Sequence, residues 1–157
     1  MIIAKTEAAY LKLKEMFREH EVEKTYYALV QGHMDPAEGT IDAPIDRHPT
    51  QDHRFAVVAD GKESITHYEV IEYYRSVSMV KVELETGRTH QIRVHLDSIE
   101  NPVVGDSTYG GARSSLSSPR PMLHAAKLSF VHPTSGEVVT FESPVPQDMQ
   151  AVINRCE

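Results

Sequence analysis

The sequence predicts a mixed α+β domain with a mostly antiparallel sheet and flanking helices. Apolar residues recur at helical spacing near residues 9–17 and 92–99, whereas residues 65–74 and 78–86 alternate between apolar and polar side chains as strands do. Tight turns separate the alternating segments, which favours antiparallel neighbours. A length of 157 residues with a hydrophobic content of 40% suits one core, so we treat residues 1–157 as one domain.

The N-terminal part of the chain predicts a helix, a strand and an irregular arm. Thr6 can cap a helix that ends near His20 and whose apolar face comprises Ala9, Leu13, Met16 and Phe17. The aromatic and β-branched run KTYYALVQG then predicts a strand that Gly32 stops. Residues 33–61 are rich in Pro, Asp, His and Gly, so we expect a hairpin arm with short strands such as RFAVVAD.

The rest of the chain predicts two strands, a helix and a final hairpin. ITHYEVIEYY and SMVKVELET both alternate, and the second places Val80, Val82 and Leu84 on one side. After the Thr86-Gly87 turn, THQIRVHLDSI predicts a helix that packs its apolar stripe on the sheet. Residues 111–121 predict a polar, flexible loop, and LHAAKLSFVHPTSGEVVTFESP predicts two strands joined by a PTSG turn.

Charge and cysteine content restrict the class of protein. The chain has 16 Lys and Arg against 23 Asp and Glu, a formal charge of -7, which argues against a uniformly basic face for polyanions. Any contact with nucleic acid must therefore be local. The single cysteine, Cys156, excludes a disulfide framework within the chain and favours a reducing compartment, so we expect a cytoplasmic protein. No apolar run approaches the length of a membrane span.

Basic residues are concentrated in ETGRTHQIRVHL, which allows three interpretations. Arg88 and Arg93 can belong to a solvated helix start and pair with acids, Arg93 with Asp97 at helical spacing. His90 and His95 can be metal ligands, but five positions on a helix do not place both rings on one face, so no metal is expected. In the third interpretation the helix start binds an anion, because its free N–H groups and an arginine fork suit phosphate or carboxylate.

Four linked motifs resemble the catalytic domain of the RluA-type pseudouridine synthases, which isomerise uridine in ribosomal or transfer RNA. The motifs are VEKTYYALVQG, TGRTHQIRVHL, NPVVGDSTYGG and LHAAKLSFVHPTSGE, and they cover nearly the whole chain in order. The resemblance implies a mixed sheet with a cleft across its middle. It also implies RNA as the partner and an isomerase that needs no metal and no organic cofactor.

The resemblance assigns roles to individual residues. Tyr26 matches an active-site tyrosine that stacks on the flipped base and is a candidate for removing the C5 proton, although a buried strand aromatic would look the same. Arg93 matches the arginine that holds the nucleophilic aspartate ionised. The residues that match RNA-binding or base-pocket positions are Arg88, Thr89, His90, Leu123 and Lys62, with core packing as the alternative for Leu123 and plain solvation for Lys62. Arg47, His53 and Arg54 are weaker candidates for RNA contact, again with plain solvation as the alternative.

One motif of the family has no counterpart in this chain. The nucleophilic aspartate of the family lies in an RLD-x-x-T-S-G segment, and MIIAKT resembles the tail of that segment. Asp106 lies in VVGDSTYG, which matches a different motif. The chain is therefore expected to lack activity by itself and to self-associate through a sheet edge that lost its neighbour. The alternative is a non-catalytic RNA-binding or assembly module.

Overall fold

The computed structural model describes residues 1–110 and 116–157. The helices are α1 (Glu7–Arg18), α2 (Gln91–Ser98) and α3 (Gln147–Asn154). The strands are β1 (Glu23–Gln31), β2 (Glu38–Asp42), β3 (Ile45–Arg47), β4 (Phe55–Val57), β5 (Ile65–Tyr73), β6 (Val77–Leu84), β7 (Leu123–Val131) and β8 (Val138–Glu142). Most predicted elements are found within a few residues of their expected bounds.

Six of the strands form one sheet in the order β2-β5-β6-β1-β7-β8, and every neighbouring pair is antiparallel. Strands β3 and β4 form a separate hairpin, the predicted arm. The prediction of a mixed α+β fold with a mostly antiparallel sheet is confirmed. The two edges of the large sheet are β2 and β8, and residues 1–4 form no strand.

Helices α1 and α2 pack on the same face of the sheet. The register aligns Tyr26 with Val82 and Tyr68, and residues two positions away along each strand share their face. Leu13 of α1 packs against Phe130 of β7 and residues near it, close to Tyr26. Helix α2 is bonded to Thr66, which lies on the Tyr68 side of β5. On this face, α1 therefore lies over one end of the strand order, near β7, and α2 lies over the other, near β5.

The local sequence explains the helix bounds. The hydroxyl of Thr6 accepts a hydrogen bond from the N–H of Ala9 at 3.2 Å, so the predicted cap of α1 is present. Helix α3 was not predicted from the sequence. Its eight residues bury Met149, Val152 and Ile153, a spacing of three and four that was a usable but short helical signal.

The structure describes residues 116–121 of the predicted loop at residues 111–121. Residues 111–115 lie outside the described residues, so the prediction of a flexible loop is not addressed there. Beyond them, Arg120 forms a two-bond ion pair with Asp148 of α3, at 2.7 and 3.0 Å. Arg155 donates to the carbonyl of Ser117 at 2.6 Å. The end of the loop is therefore tied to the C-terminal helix.

No helix in the described part of the chain is long and apolar enough to cross a lipid bilayer. Within residues 1–110 and 116–157, no three His, Cys, Asp or Glu side chains lie together in a way that would hold a metal ion.

A buried polar layer fixes α2 on β5. The Gln91 side chain accepts hydrogen bonds from the hydroxyl of Thr86 and the N–H of Arg88, and it donates to the hydroxyl of Thr66. Thr66 in turn donates to Nδ1 of His95 at 2.7 Å, because Nε2 of His95 donates to the carbonyl of Ala43 at 2.8 Å. Every member of the layer has a partner, so the layer sets both the position and the rotation of the helix.

Acid is expected to destabilise the fold through His95. Burial lowers the pKa of this histidine below its ordinary value. Below about pH 6.5, the ordinary value, the unfolded chain therefore binds more protons than the folded chain, and the free energy of unfolding falls as the pH drops further. Urea unfolding at about pH 7.5 and about pH 5 would measure the effect. A His95→Gln variant should lose less stability between the two pH values than the wild type.

The exposed His53 provides a control for this prediction. A His53→Gln variant should show the same pH dependence as the wild type, because the exposed His53 lies outside the buried polar layer around His95. If His95→Gln also follows the wild type, His95 does not carry the acid sensitivity.

Candidate functional site

Tyr26 and Leu123 lie on one face of the sheet. Tyr26 is half-buried in β1 opposite Ala125, and Leu123 of β7 lies opposite Ala28. Positions 26 and 28 share a face because side chains alternate along a strand. Tyr27 is opposite Lys81 and belongs to the other face. The two neighbouring tyrosines therefore serve different surfaces, as the alternation in the sequence predicts.

An open groove of about 920 Å³ contains Tyr26. Its other described walls come from residues 1–6, from α1 and from strands β7 and β8. Neither Arg93 nor Leu123 is among its lining residues. The sequence predicted that Tyr26, Arg93 and Leu123 would converge on one pocket. The structure places them on one side of the sheet, but the groove itself reaches only Tyr26.

Arg93 forms a two-bond ion pair with Asp106. Its Nε lies 2.6 Å from one carboxylate oxygen and its Nη2 lies 2.8 Å from the other. The interpretation that pairs Arg93 with Asp97 at helical spacing does not give its main partner. The chain after α2 turns back and brings Asp106 to the guanidinium. The Arg93 side chain is 19% exposed and that of Asp106 is 0% exposed, so the pair is largely shielded from water.

Asp106 is held as a buried carboxylate. Burial by itself would raise its pKa, but the hydrogen bonds and charge of Arg93, together with the N–H groups of Tyr109 and Thr108, lower the pKa below the ordinary value. One oxygen accepts from the N–H of Thr108 at 3.1 Å and from the N–H of Tyr109 at 3.2 Å. Both oxygens are therefore occupied and shielded, which makes Asp106 unsuited to attack a nucleotide.

Tyr109 connects the hairpin arm to α2. Its buried hydroxyl accepts from the N–H of Phe55 at 3.0 Å and shares a hydrogen bond of 2.8 Å with Nδ1 of His90. The guanidinium carbons of Arg93 and Arg54 lie 5.0 and 5.1 Å from the centre of its ring. Such distances allow cation–π attraction. One aromatic side chain thus contacts both the arm and the residues around the ion pair.

His90 makes more side-chain contacts than the sequence indicates. It precedes α2 in the left-handed region, with φ of 55°, and its ring packs edge-on against Phe55 and Tyr109. Burial, followed by the nearby charge of Arg93, lowers the pKa of His90. The histidine is therefore neutral near pH 7 and belongs to the support of the helix start.

The other predicted contact residues lie at the start of α2 and at the base of the arm. Arg88 is partly exposed and its Nε donates to the carbonyl of Glu63 at 3.0 Å. Thr89 is exposed. Lys62 is exposed too, and its backbone pairs with Ile45 at the base of the arm. These side chains are accessible, but they are spread over a surface and do not form a cluster.

The comparisons with known proteins decide the family. The family model described as RNA pseudouridylate synthase matches residues 1–98. The chain belongs to the RNA pseudouridylate synthase family. An uncharacterized RNA pseudouridine synthase of Mycobacterium bovis is 46% identical over 153 residues, which are 96% of this chain and 50% of that protein. Ribosomal large subunit pseudouridine synthase D of Escherichia coli is 41% identical over 165 residues, 98% of this chain and 50% of that protein.

A solved pseudouridylate synthase structure has the same fold as this chain. Human RNA Pseudouridylate Synthase Domain Containing 1 superposes with a TM-score of 0.77 at 35% identity, covering 90% of this chain and 62% of that chain. The chain spans about half the length of the curated relatives that it matches. The resemblance seen in the sequence motifs is confirmed at the level of the family.

The sequence interpretation missed three residues that shape this synthase-family site. Tyr109 lies inside the DSTYGG motif but received no role. Gln91 looked like an ordinary polar helix residue, and only the fold reveals its bonds to Thr86 and Thr66. Lys24 lies in the motif VEKTYYALVQG, two positions before Tyr26, and lines the groove of Tyr26. A signal for Lys24 was present, because positions 24 and 26 of a strand share a face.

Proposed function

We propose that this chain forms the base-binding and RNA-binding part of a cytoplasmic enzyme that converts uridine to pseudouridine in ribosomal or transfer RNA. The observation that carries the proposal is the placement of Tyr26 in an open groove, on the same sheet face as the helix of Arg93, in a chain of the RNA pseudouridylate synthase family. The groove is large enough for a flipped base, since ligand pockets begin at roughly 300 Å³.

Tyr26 supports the proposal through its ring. A half-buried aromatic face at the floor of a groove suits stacking on a base that has left its helix. Burial raises the pKa of Tyr26, so its hydroxyl is protonated near pH 7. To accept the C5 proton, the hydroxyl must first lose its own proton. Stacking is therefore the role that the local chemistry favours more directly.

Arg93 supports the proposal through its unused edge. Asp106 occupies Nε and Nη2, whereas Nη1 has no hydrogen-bond partner in the described part of the chain. A guanidinium held by one carboxylate can still offer another edge to a second carboxylate or a phosphate. Asp106 would then hold Arg93 in place while the free edge orients the nucleophile of the reaction.

The remaining predicted contacts suit RNA in different degrees. Thr89, Arg88 and Lys62 are accessible to an RNA backbone. His90 acts through its bond to Tyr109 and is better placed to support the helix start than to touch RNA. Leu123 is half-buried beside the core and would line the base pocket with its exposed part.

A second candidate function, a non-catalytic RNA-binding module, is favoured by one observation. The described lining of the Tyr26 groove contains a single carboxylate, that of Glu142, and no aspartate. Asp106 is buried and fully bonded, so it does not replace the nucleophile. A chain of this kind could hold a uridine without isomerising it.

The 157-residue chain is expected to form no pseudouridine by itself, because no accessible aspartate lies beside Tyr26 among the described residues. The measurement is pseudouridine formation on total cellular RNA, by this chain and by one extended upstream through an Arg-Leu-Asp segment. Light scattering on both lengths tests whether the shorter chain self-associates. Isomerisation by the short chain would contradict the expectation, and inactivity of both lengths would favour the binding module.

A further inference from the structure

Lys24 is a half-buried cation in the groove of Tyr26. Its ammonium lies 5.8 Å from the centre of the Phe17 ring on α1. Its Nζ also lies near the turn before α2, because a Cβ atom added at Gly87 would lie 3.0 Å from it. The ammonium is therefore close both to Phe17 of α1 and to the Gly87 turn.

Lys24 combines partial burial with the lack of an acidic partner among the described residues. Arg93, Arg120 and Lys81 each form an ion pair with a carboxylate. No carboxylate lies within ion-pair distance of Lys24 in the described part of the chain. Burial lowers the pKa of Lys24, which indicates that the charge is poorly solvated. The Phe17 ring gives the ammonium a cation–π contact but no hydrogen-bond acceptor.

We propose that Lys24 is the anion-binding residue of the groove and that it receives a backbone phosphate of the RNA strand next to the uridine held on Tyr26. This inference rests on the proposed function. Residues 24 and 26 are separated by about 7 Å along the strand, and both side chains enter the same groove. A strand of RNA presents a flat base and a nearby phosphate, which are the two features that this pair matches.

The absence of a side chain at residue 87 is part of the site. Gly87 leaves the space that the ammonium of Lys24 occupies, and a methyl group there would push the flexible end of the lysine away. The backbone of the fold would tolerate this change, because the crowded atom is the tip of a long side chain. A Gly87→Ala variant therefore displaces the charge without removing it.

The test uses the 157-residue chain with two probes, inorganic phosphate and single-stranded oligouridylate. Phosphate should raise the pKa of Lys24, measured from its side-chain NMR signal. Lys24→Met should bind oligouridylate about tenfold more weakly and lower the slope of log affinity against log salt by about 0.7, the loss of one phosphate contact. Gly87→Ala should weaken binding by a smaller factor. Lys14→Met is the matched control, because Lys14 also lies over an aromatic ring but on an exposed part of α1.

The outcomes separate this inference from the proposed function. Unchanged affinity and salt slope in Lys24→Met, with thermal midpoints equal to the wild type, would overturn the phosphate contact while RNA binding stands. If the wild type binds no oligouridylate but phosphate still raises the pKa of Lys24, the anion site stands and the RNA function fails. If neither probe affects Lys24, the inference is overturned.

Discussion

Exchanging Arg93 for lysine is expected to lower pseudouridine formation by about 100-fold in an active chain that carries the Arg-Leu-Asp segment. Lysine keeps the positive charge, but it cannot bond both oxygens of Asp106 and present a further edge to a second carboxylate at once. The reacting carboxylate would therefore lose its orientation. The measurement is the single-turnover rate on a defined RNA, compared with RNA affinity, which should change much less.

The same exchange at Arg18 provides the control for this prediction. Arg18 forms exposed ion pairs with Glu15 and Glu19, and an Arg18→Lys variant should keep its rate within a few-fold. Arg93→Lys should be assayed below its own unfolding temperature, since loss of one buried charged hydrogen bond costs about 1.5–3 kcal/mol of stability. A rate within a few-fold of wild type would show that Arg93 does not orient the nucleophile.

Replacing Asp106 with alanine is expected to lower the free energy of unfolding by about 3–5 kcal/mol. The change leaves the guanidinium of Arg93 mostly shielded from water without its partner, and it removes the acceptor for the N–H groups of Thr108 and Tyr109. Urea unfolding of the 157-residue chain measures the loss. The proteins should be compared near pH 7, where Asp106 is ionised because its pKa is lowered.

Asp148→Ala is the matched control for the buried pair. Asp148 also receives two bonds from one arginine, but the pair is exposed on the surface of α3. Its loss should therefore be much smaller than that of Asp106. Equal losses of unfolding free energy in the two variants would mean that burial does not determine the cost of breaking the ion pair. Asp106 would then not hold Arg93 more firmly than an exposed carboxylate does.

The sheet and most of the elements could be predicted because their signals are local. The alternation in SMVKVELET and the cap at Thr6 depend on residues that are neighbours along the chain. Helix α3 was missed because eight residues carry only two turns of apolar spacing. The strand order was not predictable in the same way, since the pairing of β1 with β7 joins residues about a hundred positions apart.

Only the residues that lie at recognisable motif positions could be predicted for the candidate site. Tyr26 and Arg93 were found by resemblance, and the alternation of β1 correctly separated Tyr26 from Tyr27. The partner of Arg93 was not found, because Asp97 satisfied helical spacing whereas Asp106 meets the arginine only after the chain turns back. The alternation of β1 indicates that Lys24 shares a face with Tyr26, but its lack of an acidic partner is a property of the folded surroundings and cannot be found in the sequence.

The ring of Tyr109 makes the hairpin arm and the Arg93 ion pair parts of one energetic unit. Arg54 and Phe55 of the arm and His90 and Arg93 of the helix all contact this one side chain. Substitutions on opposite sides of a shared partner do not have additive effects. A change in the arm that shifts Phe55 is therefore expected to affect Arg93 as well. If RNA binds the arm, as proposed, it can affect the guanidinium of Arg93 without contacting it.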